Sequence, residues 1–401
     1  LTEAAAPSSP RPIRAAPEWP LLLAIFLDLA GFGALIPDIQ TRLEGFGAHG
    51  WLIGTALAIY FVVQTIVSPL WGRTSDRMGR KGALLACFAL SALSFLIYGL
   101  AQGIVGVFAS RILAGLAAAN VALAQAQLIA DRADDTARTA ALGRAGAAVT
   151  SGLIVGPAAG GFLAHVGGNF LLGVCAAAAS GLGLLCLALF VPASPPQPAP
   201  ETPEASPKAR LALLQEIPAL RPLFVLAATA WLALACLEGT FGRLIHVKLG
   251  YGPAQFGLLF GYEAVIGVVV QTLLLTPVTA RLAPRRLLRL AYGAQGLGLG
   301  LTPFAPNLAG LFVASTFFAL GTGFANPTVN ARCSAVTPPG RQGEMFGLLQ
   351  ATRSLGFLLG PIGGGALFDW RPEAPYLLAA VVLGVAAVLV PRSRAVERAA
   401  A

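Results

Sequence analysis

The chain has 401 residues, of which 56% are hydrophobic and only 11% charged, against roughly a quarter charged in soluble domains. Its mean hydropathy is +0.74. These values exclude disorder and nucleic-acid binding, and they argue against a soluble globular enzyme, because such a chain has too small a polar shell to cover that much apolar surface. The solvent that fits is lipid. Since about 20 apolar residues cross the hydrocarbon core as a helix, twelve spans need roughly 240 residues.

Taken in order, residues 1–18 form an Ala/Pro/Ser-rich tail without the apolar core of a signal peptide. Apolar runs between charged or Pro/Gly breaks then predict six spans, near 19–41, 51–71, 82–101, 104–130, 139–164 and 169–191. A linker over 192–221 follows, beginning with a proline-rich stretch that reads as extended and solvated. Six more spans are predicted near 222–247, 254–280, 286–304, 307–336, 342–368 and 374–391, before a short tail over 392–401. The chain thus reads as an all-α membrane protein of twelve helices, an N-terminal bundle (19–191) and a C-terminal bundle (222–391).

The net charge of +9 follows the same plan. With the N-terminus inside, 21 of the 27 Lys and Arg fall in cytoplasmic segments or the cytoplasmic ends of spans, three (Arg42, Lys248, Arg371) fall outside, and Arg111, Arg243 and Arg353 fall elsewhere within spans. This asymmetry predicts both termini in the cytoplasm. The excess charge is topogenic and implies no nucleic-acid partner. Trp19, Trp51, Trp71 and Trp370 sit at predicted span ends, as interfacial anchors should. The five cysteines lie in apolar runs without CxxC spacing, so neither disulfide nor metal is expected. No Ser/His/Asp, HExxH or P-loop string appears, so no enzyme and no ATP-driven pump is expected.

The two halves repeat one another. Gly152-x3-Gly156-Pro157-x2-Gly160-Gly161 in span 5 recurs as Gly356-x3-Gly360-Pro361-x2-Gly364-Gly365 in span 11. Gly115 and Asn120 in span 4 match Gly321 and Asn326 in span 10, and Arg80-Lys81 match Arg285-Arg286. All three anchors share an offset near 205. Parallel six-helix repeats about an axis along the membrane normal are a known transporter plan, with substrate held near the midplane.

The most specific string follows span 2: Gly72, Asp76, Arg77, Gly79, Arg80 and Lys81, closed by Leu84. It resembles the signature loop of the major facilitator superfamily, with Thr74 as the clear departure. The resemblance implies twelve helices and a latch that holds the two halves together in the outward-open state. In the second half Arg281 replaces the acid and Pro284 the second glycine, so only the first copy is expected to latch.

Three further strings resemble the twelve-helix drug:proton antiporter branch, and tetracycline-type exporters in particular. Gly152, Gly156, Pro157, Gly160 and Gly161 resemble its antiporter motif. Small residues let helices approach, and Pro157 bends the span. Arg111-x3-Gly115-x2-Ala118-Ala119 resembles the motif that places an arginine within span 4. Asp28-x2-Gly31-x-Gly33-x3-Pro37 resembles the start of tetracycline-type exporters, with Gln40 where a second proline is common. Asp38 reads as interfacial.

An ionisable residue within a span is a functional candidate by default. Asp28 is read as an unpaired carboxylate and is the first candidate to carry the proton, with Arg111, Glu238 and Glu263 beside it in the coupling chemistry. The superfamily's cavity implies substrate contacts from Phe32, Asn120, Gln125, Trp231, Phe241, Tyr262, Asn326, Asn330 and Arg353. A secondary transporter is expected, exporting small amphipathic compounds in exchange for protons by alternating access. The alternatives are a uniporter or symporter for a sugar or metabolite, and a lipid or lysolipid carrier. The proton is the coupling ion and no cofactor is expected. The expected partners are the substrate and the bilayer, and the expected form is a monomer in the bacterial inner membrane.

Overall fold

The computed structural model describes residues 17–129, 135–192, 213–338 and 341–390; side chains at 76, 135, 136, 138, 139 and 343 are not among those described. The N-terminal tail, the proline-rich linker and the C-terminal tail therefore lie outside the described residues.

Twelve helical segments account for nearly all of the described chain. They are α1 (Glu18–Gly45), α2 (Gly50–Met78), α3 (Arg80–Leu100), α4 (Ile104–Ile129), α5 (135–166), α6 (169–190), α7 (Leu220–Leu249), α8 (Pro253–Arg281), α9 (Pro284–Leu301), α10 (Leu308–Val336), α11 (Gln342–Trp370) and α12 (Ala374–Leu389). Gly168, at φ +63°, breaks what would otherwise be one rod from α5 into α6. Only glycine adopts this conformation without strain.

The signature string is not a loop. α2 continues through it to Met78, and one residue, Gly79 at φ +84°, turns the chain into α3. The one break falls at the residue that takes a positive φ without strain.

Each half packs its own core. Leu21, Ile25 and Phe88 anchor one end of the first bundle, and Leu35, Ile39 and Tyr98 the other. Leu226, Phe241, Phe256 and Tyr292 build the second. The halves meet through α2 on α11 and α5 on α8.

The repeat is visible in three dimensions. A Cβ at Gly152, Gly156 or Gly160 of α5 would lie 2.7, 2.5 or 2.0 Å from a backbone oxygen of α1. Gly356, Gly360 and Gly364 of α11 press on α7 at Trp231, Ala235 and Cys236, against both backbone and side-chain atoms. The far ends of these helices cross to the other half: Gly161 meets Pro253, Pro157 meets Gly257, Pro361 meets Gly54, and Gly365 meets Gly50. Close backbone contact of this kind substitutes for the hydrophobic effect, which is absent between helices in lipid.

We call the end with the helix junctions 78–80, 281–284 and 336–342 the basic end, and the other the far end. Trp51 and Trp370 are exposed at the far end and Trp19 at the basic end, as the anchor reading requires. Trp71 differs: its indole Nε1 donates to the Leu116 carbonyl at 2.6 Å and ties α2 to α4.

Candidate functional site

The site starts from a defect in α4. The helix gives way to a turn at Ala118–Ala119 and resumes at Asn120. A break inside a membrane frees carbonyls that must find donors in the protein. Trp71 takes Leu116, and Gln64 Nε2 takes Ala118 at 3.3 Å, both from α2. At the restart, Asn120 Oδ1 accepts from Val121 N at 2.7 Å, and its amide nitrogen is left free to donate to Asp28.

Asp28 is buried at the wall of a cavity between the halves. Ser180 Oγ of α6 donates to its Oδ1 at 2.6 Å, and Ser91 of α3 is a third hydrogen-bond partner. The carboxylate is therefore not unpaired, as the sequence suggested. Its partners are all neutral, because α3, α4 and α6 offer serine and asparagine at this level.

The cavity measures about 220 Å³ and lies between α1, α2, α4 and α5 on one side and α7 and α11 on the other. Phe32, Tyr60, Phe61 and Phe357 form an aromatic wall, with Phe61 and Phe357 stacked across the two halves at 4.4 Å. Glu238 of α7 and Arg353 of α11 face Asp28 across the space. Arg353 lies over Trp231 at 4.7 Å and over Phe357 at 5.6 Å. A stacked guanidinium keeps its charge while shedding water.

Arg111 is 2% exposed, so it does not snorkel to the interface. It borders a smaller cavity of about 50 Å³ on the far side of Phe61 and Phe357, which Glu238 also lines. Its guanidinium lies 5.7 Å from the Tyr98 ring, and its Nε has no hydrogen-bond partner among the described residues.

The remaining candidates lie elsewhere. Glu263 hydrogen-bonds Ser315 within the second bundle and lines neither cavity. Phe241 packs against Phe256 and Phe260 in the closed core, and Tyr262 hydrogen-bonds Thr316 at 2.7 Å. Trp231 stands behind Arg353 rather than on the wall, and Gln125, Asn326 and Asn330 are not on either cavity's lining. The sequence places these residues on their spans and leaves open which face of each helix they occupy. Tyr60, Phe61, Gln64, Ser91, Ser180 and Phe357 were missed; their polar or aromatic character alone carried no signal among so many apolar neighbours.

At the basic end, Arg80 donates to the Ala126 carbonyl at 3.2 Å and Lys81 to the Ala188 carbonyl at 2.8 Å, both within the first half. Gly72 and Arg77 are exposed. The Asp76 side chain lies outside the described residues.

At the far end, Arg243 of α7 reaches Glu44 of α1 at 3.3 Å and Asp369 of α11 at 3.2 Å. Asp369 also accepts from the Gly50 amide at the start of α2, at 3.0 and 2.7 Å. Four helices from both halves thus close over the cavity. The basic-end portions of α2, near Thr65–Arg73, and of α8, near Gln271–Arg281, are mostly exposed.

The family model for the major facilitator superfamily matches residues 21–273 and 223–400. The chain belongs to the major facilitator superfamily. Its most similar relatives include multidrug resistance protein 1 of Bacillus subtilis, 29% identical over 92% of this chain and 94% of the relative. The class G tetracycline resistance protein of Vibrio anguillarum is 28% identical over 87% and 89%. Among solved structures, the nucleoside transporter NupG superposes with a TM-score of 0.77 at 14% identity, covering 94% of this chain and 99% of that one. A bacterial homologue of the human lysosomal transporter Spinster, in an inward-facing and occupied conformation, gives 0.76 at 16%, covering 98% of each. The superfamily's architecture is what these structures share with the chain. It is a multi-pass membrane transporter of small molecules and not an enzyme.

Proposed function

We propose that the protein is a proton-coupled exporter of small amphipathic compounds, with both termini in the cytoplasm and the cavity facing inward in this structure. The observation that carries the reading is Asp28: a carboxylate at the cavity wall, held by Ser180, Asn120 and Ser91, with no cation among its partners in the described residues. Such a group can take up and release a proton without breaking an ion pair, and each change alters the charge on the wall. The names of the relatives, multidrug and tetracycline resistance proteins, support export of drug-like molecules.

Substrate enters from the basic end and rests against Phe32, Tyr60 and Phe357, with Glu238 and Arg353 as charged contacts. The antiporter glycines keep α5 pressed on α1 and α8, which seals the far end against a proton leak. The latch string, from the end of α2 into α3, engages in the opposite state. A proton taken up by Asp28 from outside favours return to the inward-facing state, and one charge crossing 100 mV supplies about 2.3 kcal/mol.

The test is transport by proteoliposomes under an imposed pH gradient, with an amphipathic cation such as ethidium as probe. Asp28→Asn is expected to abolish gradient-driven movement while leaving probe binding in place. Undiminished gradient-driven transport by that variant overturns the assignment. A substrate-induced pH change of the opposite sign would make the protein a symporter.

A further inference from the structure

Gln40 makes an unusual contact. It is fully buried near the end of α1, and its side-chain amide crosses to α7 in the other half. Its Nε2 donates to the Glu238 carbonyl, and its Oε1 accepts from Gly242 N at 2.9 Å and from Arg243 N at 3.3 Å. The Glu238 carbonyl and the Gly242 amide are the two groups that a regular α-helical turn pairs with each other. A planar amide, with a donor and an acceptor side by side, is suited to hold both.

The local sequence of α7 permits the approach. A Cβ at Gly242 would lie 2.9 Å from Gln40 Oε1, and one at Gly239 would lie 2.7 Å from Pro361 Cα. The gripped turn begins at Glu238, whose side chain lines both cavities, and ends at Arg243, which binds Glu44 and Asp369. One side chain therefore touches the turn that joins the cavity to the far-end seal. It is also the residue at which the chain departs from the tetracycline-type pattern.

We propose that Gln40 is a positioning residue for transport: its amide holds the Glu238–Arg243 turn of α7 while the far end is closed, so that Glu238 is set against the cavity only in that state. The inference rests on the alternating-access reading. When α1 leaves α7, a buried amide loses three hydrogen bonds together and water takes its place. The turn then keeps only its internal bonds, and Glu238 is freed at the moment the seal opens. This makes closure and the placing of Glu238 one event.

The experiment uses the full chain in proteoliposomes, with its five native cysteines replaced by alanine. One reporter is Leu57→Cys, in the small cavity beneath the seal, and the other is Gln350→Cys, in the main cavity. A membrane-impermeant maleimide is applied to one face or the other. With Gln40 present, Leu57→Cys should be protected from the far face. Gln40→Leu should raise its labelling about tenfold, the bias carried by the lost hydrogen bonds, and lower labelling of Gln350→Cys from the basic face. Gly242→Ala, which displaces the amide without altering it, should do the same. Labelling unchanged in both variants, or raised from both faces as in general loosening, overturns the proposal. If ethidium and a pH gradient move neither reporter while Gln40 is present, alternating access itself falls, and the proposal with it.

Discussion

Ser180 on α6 donates a 2.6 Å hydrogen bond to Asp28 on α1, across the middle of the first bundle. With Asn120 on the broken helix α4, it fixes the carboxylate at the cavity wall. Ser180→Ala removes one donor and leaves the carboxyl in place. We expect transport to persist with its pH profile displaced, whereas Asp28→Asn removes the response to the gradient altogether. Initial rates of ethidium movement against pH distinguish the two.

The glycines of α5 differ in what surrounds them. Gly160→Ala places a methyl group 2.0 Å from the Ala34 carbonyl oxygen, which forces α5 away from α1. Overpacking of this kind costs about 1–3 kcal/mol. Gly143→Ala, in the same helix, meets nothing within 4 Å among the described residues and should stabilise by about 0.5–1 kcal/mol through helix propensity. Thermal unfolding in detergent should lower Tm for the first and hold or raise it for the second.

The α4 break depends on α2. Trp71→Phe keeps an aromatic ring, though a smaller one, and deletes the Nε1 donor, so the Leu116 carbonyl loses this partner. The expected loss is about 1–3 kcal/mol for a carbonyl left unpaired away from water. Because the break presents Asn120 to Asp28, the same variant should weaken gradient-driven transport beyond its effect on Tm.

Arg243 stands between two carboxylates of different halves, Glu44 and Asp369. Arg243→Met removes the cation and leaves both acids at the seal. The carboxylates are partly exposed, so each contact is worth about 1 kcal/mol at most. Raising the salt concentration should narrow the difference in Tm between this variant and the natural chain, since screening weakens the pairs that only the latter has.

A pH effect is expected at the junction before α12. The hydrogen bond from Lys248 holds the Glu373 carboxyl below its ordinary range. Its contribution is present above the unfolded value of about 4.3 and is lost as pH falls through the lower folded value. The pair is near the surface and its effect is small. Lys248→Met should lower Tm slightly at neutral pH, and the difference should vanish in the acid range.

How much was legible in the sequence follows from which physical signals are local. Apolar run length places a helix in lipid whatever its neighbours do, so the helical segments were readable. The repeat of Gly-x3-Gly-Pro-x2-Gly-Gly was readable too, because close backbone approach admits only small residues. The segments α2 and α4 show where this stops. Charges at Arg73 and Arg77 read as a loop, yet α2 stays helical to Met78. Small residues at Ala118 and Ala119 gave no sign of a break.

By itself, the sequence determined the solvent, the two-fold repeat, the superfamily signature and the short set of intramembrane charges. The tertiary structure decided which of those charges share a space. Asp28, Glu238 and Arg353 meet at one cavity, Arg111 and Glu238 at another, and Glu263 turns away to Ser315. It also brought Gln40 of α1, far away in the chain, against the turn of α7 that ends at Arg243. Burial of an ionisable group depends on rotation about a helix axis and on the neighbour opposite. In a chain apolar on nearly every face, periodicity does not record that rotation, and only packing settles it.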